Sequence, residues 1–300
     1  MFSLRTLAAV APFLSLSSAI PYPPEAVSPV NKITSPAHGV AFWNGTTHPT
    51  KTVNARTLTR RATGGVVTGG AAVDAINNQD GVGGGSDSYT MYWGDGSTGA
   101  GWPSEDTWVS FEDMFNNNKQ IMFSSCGWNG WGADDSGPEV GAIYDAIQQI
   151  ATETKVDHRF ILAVIIQESK GCVRVPTTGN VDANIWNPGL MQCHSGDGTC
   201  NSNGVVQNPC PTDTIFQMVR EGTAGTNSGD GLAQVLNQAQ NTFQVSNARA
   251  FYSAAKYYNG GSIPASGNLE EGCCTLCYAS DVANRLTGWV LAASSCTLDG

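Results

Sequence analysis

The chain has 300 residues, 41% of them hydrophobic and 13% charged, with a net charge of −10 at pH 7. That apolar content excludes a wholly disordered polymer, and the acidic balance excludes steering by net charge to nucleic acid or to an anionic membrane. Nine cysteines point to disulfides and an oxidising compartment.

Residues 1–19 read as a secretory signal: Arg5 supplies the positive start, TLAAVAPFLSL the short apolar core, and Ser17 and Ala19 the small-residue cleavage pattern. The apolar core is too short to span a bilayer. Residues 20–61 are rich in Pro, Ser and Thr and end on the dibasic pair Arg60–Arg61, the pattern of a pro-segment. Asn44–Gly45–Thr46, an N-glycosylation acceptor, would leave with it. A mature chain of 239 residues remains, enough for one good core. It keeps nine basic and twenty-four acidic residues, a net charge of −15.

Residues 62–88 carry GGVVTGG and GVGGGSDS and predict a flexible leader. No lysine follows at the spacing of a phosphate-binding loop. The catalytic domain is expected over 89–300. SEDTWVSFEDMF predicts a short helix. SGPEVGAIYDAIQQIATETKV predicts a long one, with Ser136 as cap, Pro138 and Glu139 in its first turn, and Val140, Ile143, Ile147 and Ile150 on one face. FILAVIIQES follows Asp157, a good cap. Its seven apolar residues, Phe160 to Ile166, fit a buried strand or a buried helix equally well.

From Gly171 to Pro211 the chain is loop-like and rich in Cys, Gly, Asn and Pro. Helices are then expected in PTDTIFQMVREGTAG, capped by Thr212 or Asp213, in GDGLAQVLNQAQ, in SNARAFYSAAKYYNGG and in YASDVANRLTGWVLAA. No convincing strand pair emerges. All nine cysteines lie in the mature part, and an odd count leaves at least one outside a pair within the chain. CCTLC at 273–277 has the spacing of a zinc half-site, but His158 and His194 are remote from it in sequence, so disulfides are the better reading.

Glu168, at the end of the apolar run, carries the chemistry. Burial disfavours a carboxylate and raises its pKa, and a carboxyl kept protonated near neutrality can give a proton to a glycosidic oxygen. The plainer alternative is a solvent-facing helix end with Lys170 nearby. About twenty residues on comes NIWNPGLMQCHSGDG, later AAKYYNGG, and finally YASDVANRLTGWV. In this order and spacing, over about residues 138–290, the blocks resemble the lysozyme-like superfamily, above all the soluble lytic transglycosylases and goose-type lysozymes of glycoside hydrolase family 23.

The resemblance implies a mainly α, lysozyme-like fold with a Cys-rich loop excursion, and a helix rather than a strand over the apolar run. It implies Glu168 as catalytic acid, Ser169, Met191 and Gln192 in the sugar cleft, and Tyr258 and Asn259 as the pair reaching towards the acid. Asp182 matches an aspartate that goose-type lysozymes carry ahead of their GLMQ, and Asp197 is the other candidate for a second carboxylate. Either an Asx-turn or a water-activating base suits Asp182. Trp186, Trp128 and Trp131 lie in loop-like stretches and would either stack on sugars or plug the core.

The expected substrate is a β-1,4-linked N-acetylhexosamine polymer, peptidoglycan first. A charge of −15 would suit chitin or cationic chitosan better, and β-mannan hydrolysis also occurs on this fold. A secreted glycan-binding protein without turnover is the non-enzyme alternative. Metal or organic cofactors, nucleic acid and membrane partners are not expected, and the protein is expected to be a monomer.

Overall fold

The computed structural model describes residues 65–180 and 185–298. The signal, the pro-segment with Asn44, and Asp182 lie outside the described residues. The described chain is mainly helical, with eight α-helices and four very short strands.

Helix α1 spans Phe111–Met122. Ser110 caps it by accepting the Asp113 N–H at 3.1 Å. A single turn, α2, follows at Ser125–Trp128. Helix α3, Gly137–Thr154, starts where expected: Glu139 reaches back to accept the Ser136 N–H at 2.7 Å.

Helix α4, His158–Ser169, resolves the ambiguous apolar run. Asp157 caps it by accepting the Arg159 N–H at 2.8 Å. Every residue from Phe160 to Ile166 is buried, so α4 is apolar on all sides because it is enclosed on all sides. It stops at Lys170, in the left-handed region at φ 57°, followed by Gly171 at φ 77°.

The excursion after α4 holds two hairpins. β1, Thr178–Asn180, pairs antiparallel with β2, Ile185–Asn187, and β3, Asn201–Ser202, with β4, Val205–Val206. They escaped the sequence reading because strands of two or three residues are too short to show alternation.

Helix α5, Thr212–Ala224, begins after Pro211, so Thr212 and Asp213 form its first turn instead of capping it. Helices α6, Leu232–Phe243, and α7, Ala248–Gly260, follow. Helix α8, Tyr278–Leu286, is shorter than expected. The chain leaves it through Gly288 at φ 112°, so Trp289 and Val290 pack as irregular chain rather than as helix.

The core lies where α3 packs on α5, α6 on α7, and α7 and α4 both on α8. Residues 65–88, expected to be a flexible leader, are instead a strap bonded along the helices. Gly65 N–H donates to Ala224 O, Val67 N–H to Thr154 O, and Val82 N–H to Trp108 O. Asn237 and Gln240 of α6 accept from Thr68 and Ala71. The side chains of Val67 and Ala71 enter the core. Glycine-rich composition here serves close approach: a Cβ on Gly81 would lie 2.3 Å from the backbone of Val109 and Ser110.

Four disulfides pair Cys126 with Cys172, Cys200 with Cys210, Cys273 with Cys274, and Cys277 with Cys296. Cys193 is free and buried. No helix among the described residues is long and apolar enough to cross a membrane.

Candidate active site

A cleft of about 700 Å³ opens between the end of α4, the first hairpin, the start of α6 and the end of α7. Glu168 lies within it, along with Thr178, Ile185, Asn187, Gln192, His194, Asp230, Val235, Gln238, Tyr257, Tyr258, Asn259 and Cys274.

Glu168 is the next-to-last residue of α4, so a rigid buried helix aims it. Its Oε1 accepts the phenolic proton of Tyr278, the first residue of α8, at 2.5 Å. Burial pushes the Glu168 carboxyl up to about 7, against the opposing pull of the Tyr278 hydrogen bond and of Lys170. Burial and Arg285 push the Lys170 ammonium down to about 7. The Tyr278 and Tyr258 hydroxyls are raised well above the ordinary tyrosine value, first by burial, with Glu168 adding to both. They therefore stay neutral, so Tyr278 stays a proton donor to Glu168.

Behind Glu168, α4 and α8 are joined by a polar ladder. Gln167 donates to Asp281 at 2.9 Å and accepts from Arg285 at 2.9 Å, and Asp281 also accepts from Tyr89 at 2.6 Å. Tyr278, Asp281 and Arg285 fall at helical spacing on α8, which fixes Tyr278 over Glu168.

The GLMQ turn has a physical logic. Gly189 sits at φ 76°, where a Cβ would meet Gly198 O at 2.6 Å. Leu190 and Met191 are fully buried. Met191 packs against the bare backbone of Gly222 in α5, where a Cβ would come within 2.4 Å of it. Gln192, at φ 45°, then turns towards the cleft. Its amide donates to Gly189 O at 3.0 Å and Pro176 O at 3.2 Å and accepts from Thr178 at 2.7 Å. Tyr258 donates to Met191 O at 2.8 Å, tying α7 to this turn.

Of the expected cleft residues, Glu168, Gln192, Tyr258 and Asn259 come together. Three do not. Met191 is core: its side chain anchors the turn, and its carbonyl holds Tyr258. Ser169 is fully buried, donating to Ile165 O at 2.9 Å and accepting the Gly171 N–H at 3.1 Å, so it closes the helix end instead of touching a ligand. Trp186 is exposed, but strand alternation turns it to the opposite face from Ile185 and Asn187, over a shallow depression with Pro176 and Asn203.

Trp128 is exposed and Trp131 half-buried, and neither lines the cleft. Asp197 does not line the cleft either, and its backbone N–H donates to Glu221 at 3.0 Å. Tyr257 borders the cleft beside Tyr258.

The sequence reading missed His194, Asp230 and Tyr278. His194 lies two residues beyond the GLMQ turn, and Thr226 donates to its carbonyl at 2.8 Å, joining its loop to the one that carries Asp230. Asp230 is, among the described residues, the second carboxylate bordering the cleft. Nothing local in SGDG distinguishes it from an ordinary loop aspartate. Tyr278 opens the block that resembles the closing helix, which was its available signal.

No protein-family model matches the chain, and neither does a curated protein or a solved structure.

Proposed function

We propose that the protein is a secreted glycosidase of the lysozyme-like, lytic-transglycosylase type, cleaving β-1,4 bonds of an N-acetylhexosamine polymer, with peptidoglycan the favoured substrate. The observation that carries this reading is a carboxyl raised to about 7 by burial at the end of a rigid helix, under a tyrosine donor, inside a polar cleft. A volume of about 700 Å³ lies within the ~300–1,000 Å³ usual for ligand sites.

In this reading Glu168 gives its proton to the glycosidic oxygen as the C–O bond breaks. Tyr278 holds the carboxyl in place and receives no proton. Gln192, whose amide is fixed by three bonds, and Tyr258 and Asn259 shape the sugar path. If water is the acceptor, a second carboxylate activates it, and Asp182 or Asp230 fills that role. If the substrate's own hydroxyl closes on the anomeric carbon, the Glu168 carboxylate left by the first step takes that hydroxyl's proton, no second carboxylate is needed, and an anhydro-sugar results. The mature charge of −15 favours chitin or chitosan as the alternative substrate.

The test incubates the mature protein with peptidoglycan, chitin, chitosan and mannan and mass-analyses the products. Cleavage of an acetylated hexosamine polymer by the wild type, and none by Glu168→Gln, is expected. Cleavage that survives Glu168→Gln refutes the mechanism, and binding without turnover by the wild type leaves a lectin-like protein. Anhydro ends would remove the need for Asp182 and Asp230 as bases.

A further inference from the structure

The cleft wall contributed by the end of α7 is finished by an unusual group. Cys273 and Cys274 are bonded to each other, closing a small ring through the peptide bond between them, and Cys274 borders the cleft. We propose that this ring is a sugar-contact subsite: an apolar sulfur surface against which the C–H face of one hexosamine of the bound polymer packs. The proposal rests on the reading of the cleft as a glycan site.

The chemistry begins with the ligand. A β-1,4-linked hexosamine carries its polar groups around its edge and C–H bonds on its faces, so a site needs apolar surface for the faces as well as hydrogen bonds for the rim. Polar rim groups are plentiful here, with Asn187, Gln192, Gln238 and Asn259 bordering the cleft. The tryptophan expected to supply a platform, Trp186, faces the other way. At the α7 end, beyond the Tyr257–Tyr258 pair, the disulfide is the polarizable, weakly hydrated surface on offer.

The ring is also held in place from several directions. The Lys256 side chain is fully buried and its ammonium donates to Cys273 O at 3.1 Å. Asn259 Oδ1 accepts the Thr275 N–H at 3.0 Å. Gly260 leaves room for the turn: a Cβ there would come within 3.3 Å of Cys273 O. Cys274 itself sits at φ 73°, in the left-handed region that residues other than glycine adopt less readily. The ring is thus held against the cleft border by a buried lysine and by the end of α7.

The experiment measures binding in the Glu168→Gln protein, which keeps the cleft and stops turnover, by calorimetry with N-acetylglucosamine oligomers of increasing length. Adding Cys273→Ala and Cys274→Ala together is expected to weaken the longest oligomer about five- to tenfold, the worth of one sulfur-face contact. In the otherwise unmutated enzyme the same pair of changes should raise KM and leave kcat in place. Unchanged affinity overturns the proposal, as does a fall in kcat at constant KM, which would mean that the ring acts only by fixing Tyr278 downstream.

Should the double variant fail to fold, a crystal structure of Glu168→Gln with the oligomer decides. Sugar carbons within about 4 Å of the Cys273 or Cys274 sulfur support the subsite, and an oligomer bound in the cleft without touching sulfur refutes it. If no N-acetylglucosamine oligomer binds at all, the glycan reading of the cleft falls and takes the subsite with it.

Discussion

Glu168 shows how one carboxyl is tuned by what surrounds it. Burial raises it to about 7, while the Tyr278 hydrogen bond and the Lys170 charge hold it below where burial alone would leave it. The acid form is present below about 7 and lost above it, so the alkaline limb of kcat/KM should fall near pH 7 in a pH–rate profile. Tyr278→Phe removes a donor that favours the charged form. The limb should therefore move to higher pH, and a shift to lower pH would refute the assignment. The sign for stability runs the same way: a carboxyl whose folded pKa is raised contributes fully below its unfolded pKa, and that contribution is lost as pH rises through about 7. Urea midpoints for Glu168→Gln should accordingly gain on the wild type between pH 5 and 8. Sequence alone pointed to Glu168 because its neighbours in the chain are its neighbours in space. His194, Asp230 and Tyr278 come from distant loops and helix ends, and no spacing rule joins them to it.

Among the elements, the GLMQ turn depends on a contact that is invisible in its own letters. Met191 fits because Gly222, on another helix, offers bare backbone. Gly222→Ala should cost ~1–3 kcal/mol by overpacking and should lower activity as well, because Met191 O is the acceptor that holds Tyr258. Thermal melts and kcat/KM measured together check both parts. The start of α3 depends on a buried ion cluster. Arg174, fully buried, donates to Asp135 at 3.1 Å, to Glu139, to Asn208 at 3.0 Å and to Gln207 O at 3.0 Å. Arg174→Met leaves buried carboxylates without their cation and should cost ~3–5 kcal/mol by denaturant unfolding. The helices were legible because caps and periodic faces are local signals. The hairpins were too short to read, and α8 was over-read because apolar residues beyond Gly288 bury without continuing the helix.

For the whole molecule, the walls of the cleft come from four stretches far apart in the chain, and a covalent link keeps one of them in place. Cys126–Cys172 joins residues 46 apart, worth ~4 kcal/mol in loop-closure entropy, and it fastens the chain just after Glu168. Replacing both cysteines by alanine should lower the melting temperature more than the same change at Cys200–Cys210, which spans 10 residues and is worth ~3 kcal/mol. Comparable shifts would argue against loop entropy as the cause. Helical class and disulfide richness could be read from composition and pattern. The strap over 65–88 could not, because glycine permits close packing as readily as it permits freedom, and only the partners on α6 and α3 distinguish the two.

The strap ends in a clasp. Asp87 accepts the N–H groups of Val290, Leu291 and Ala292 at 2.8, 2.9 and 3.0 Å, and Ser86 N–H donates to Thr287 O. The last residues of the strap thus fasten to the chain just beyond α8 like belt and buckle. A load on the C-terminal side would meet this buckle before it reached α8, whereas a load on the N-terminal side meets the helices first, through Gly65 on Ala224 and Val67 on Thr154. Asp87→Ala should open the buckle alone, seen as faster amide exchange at 290–292 while the amides of α4 exchange as before.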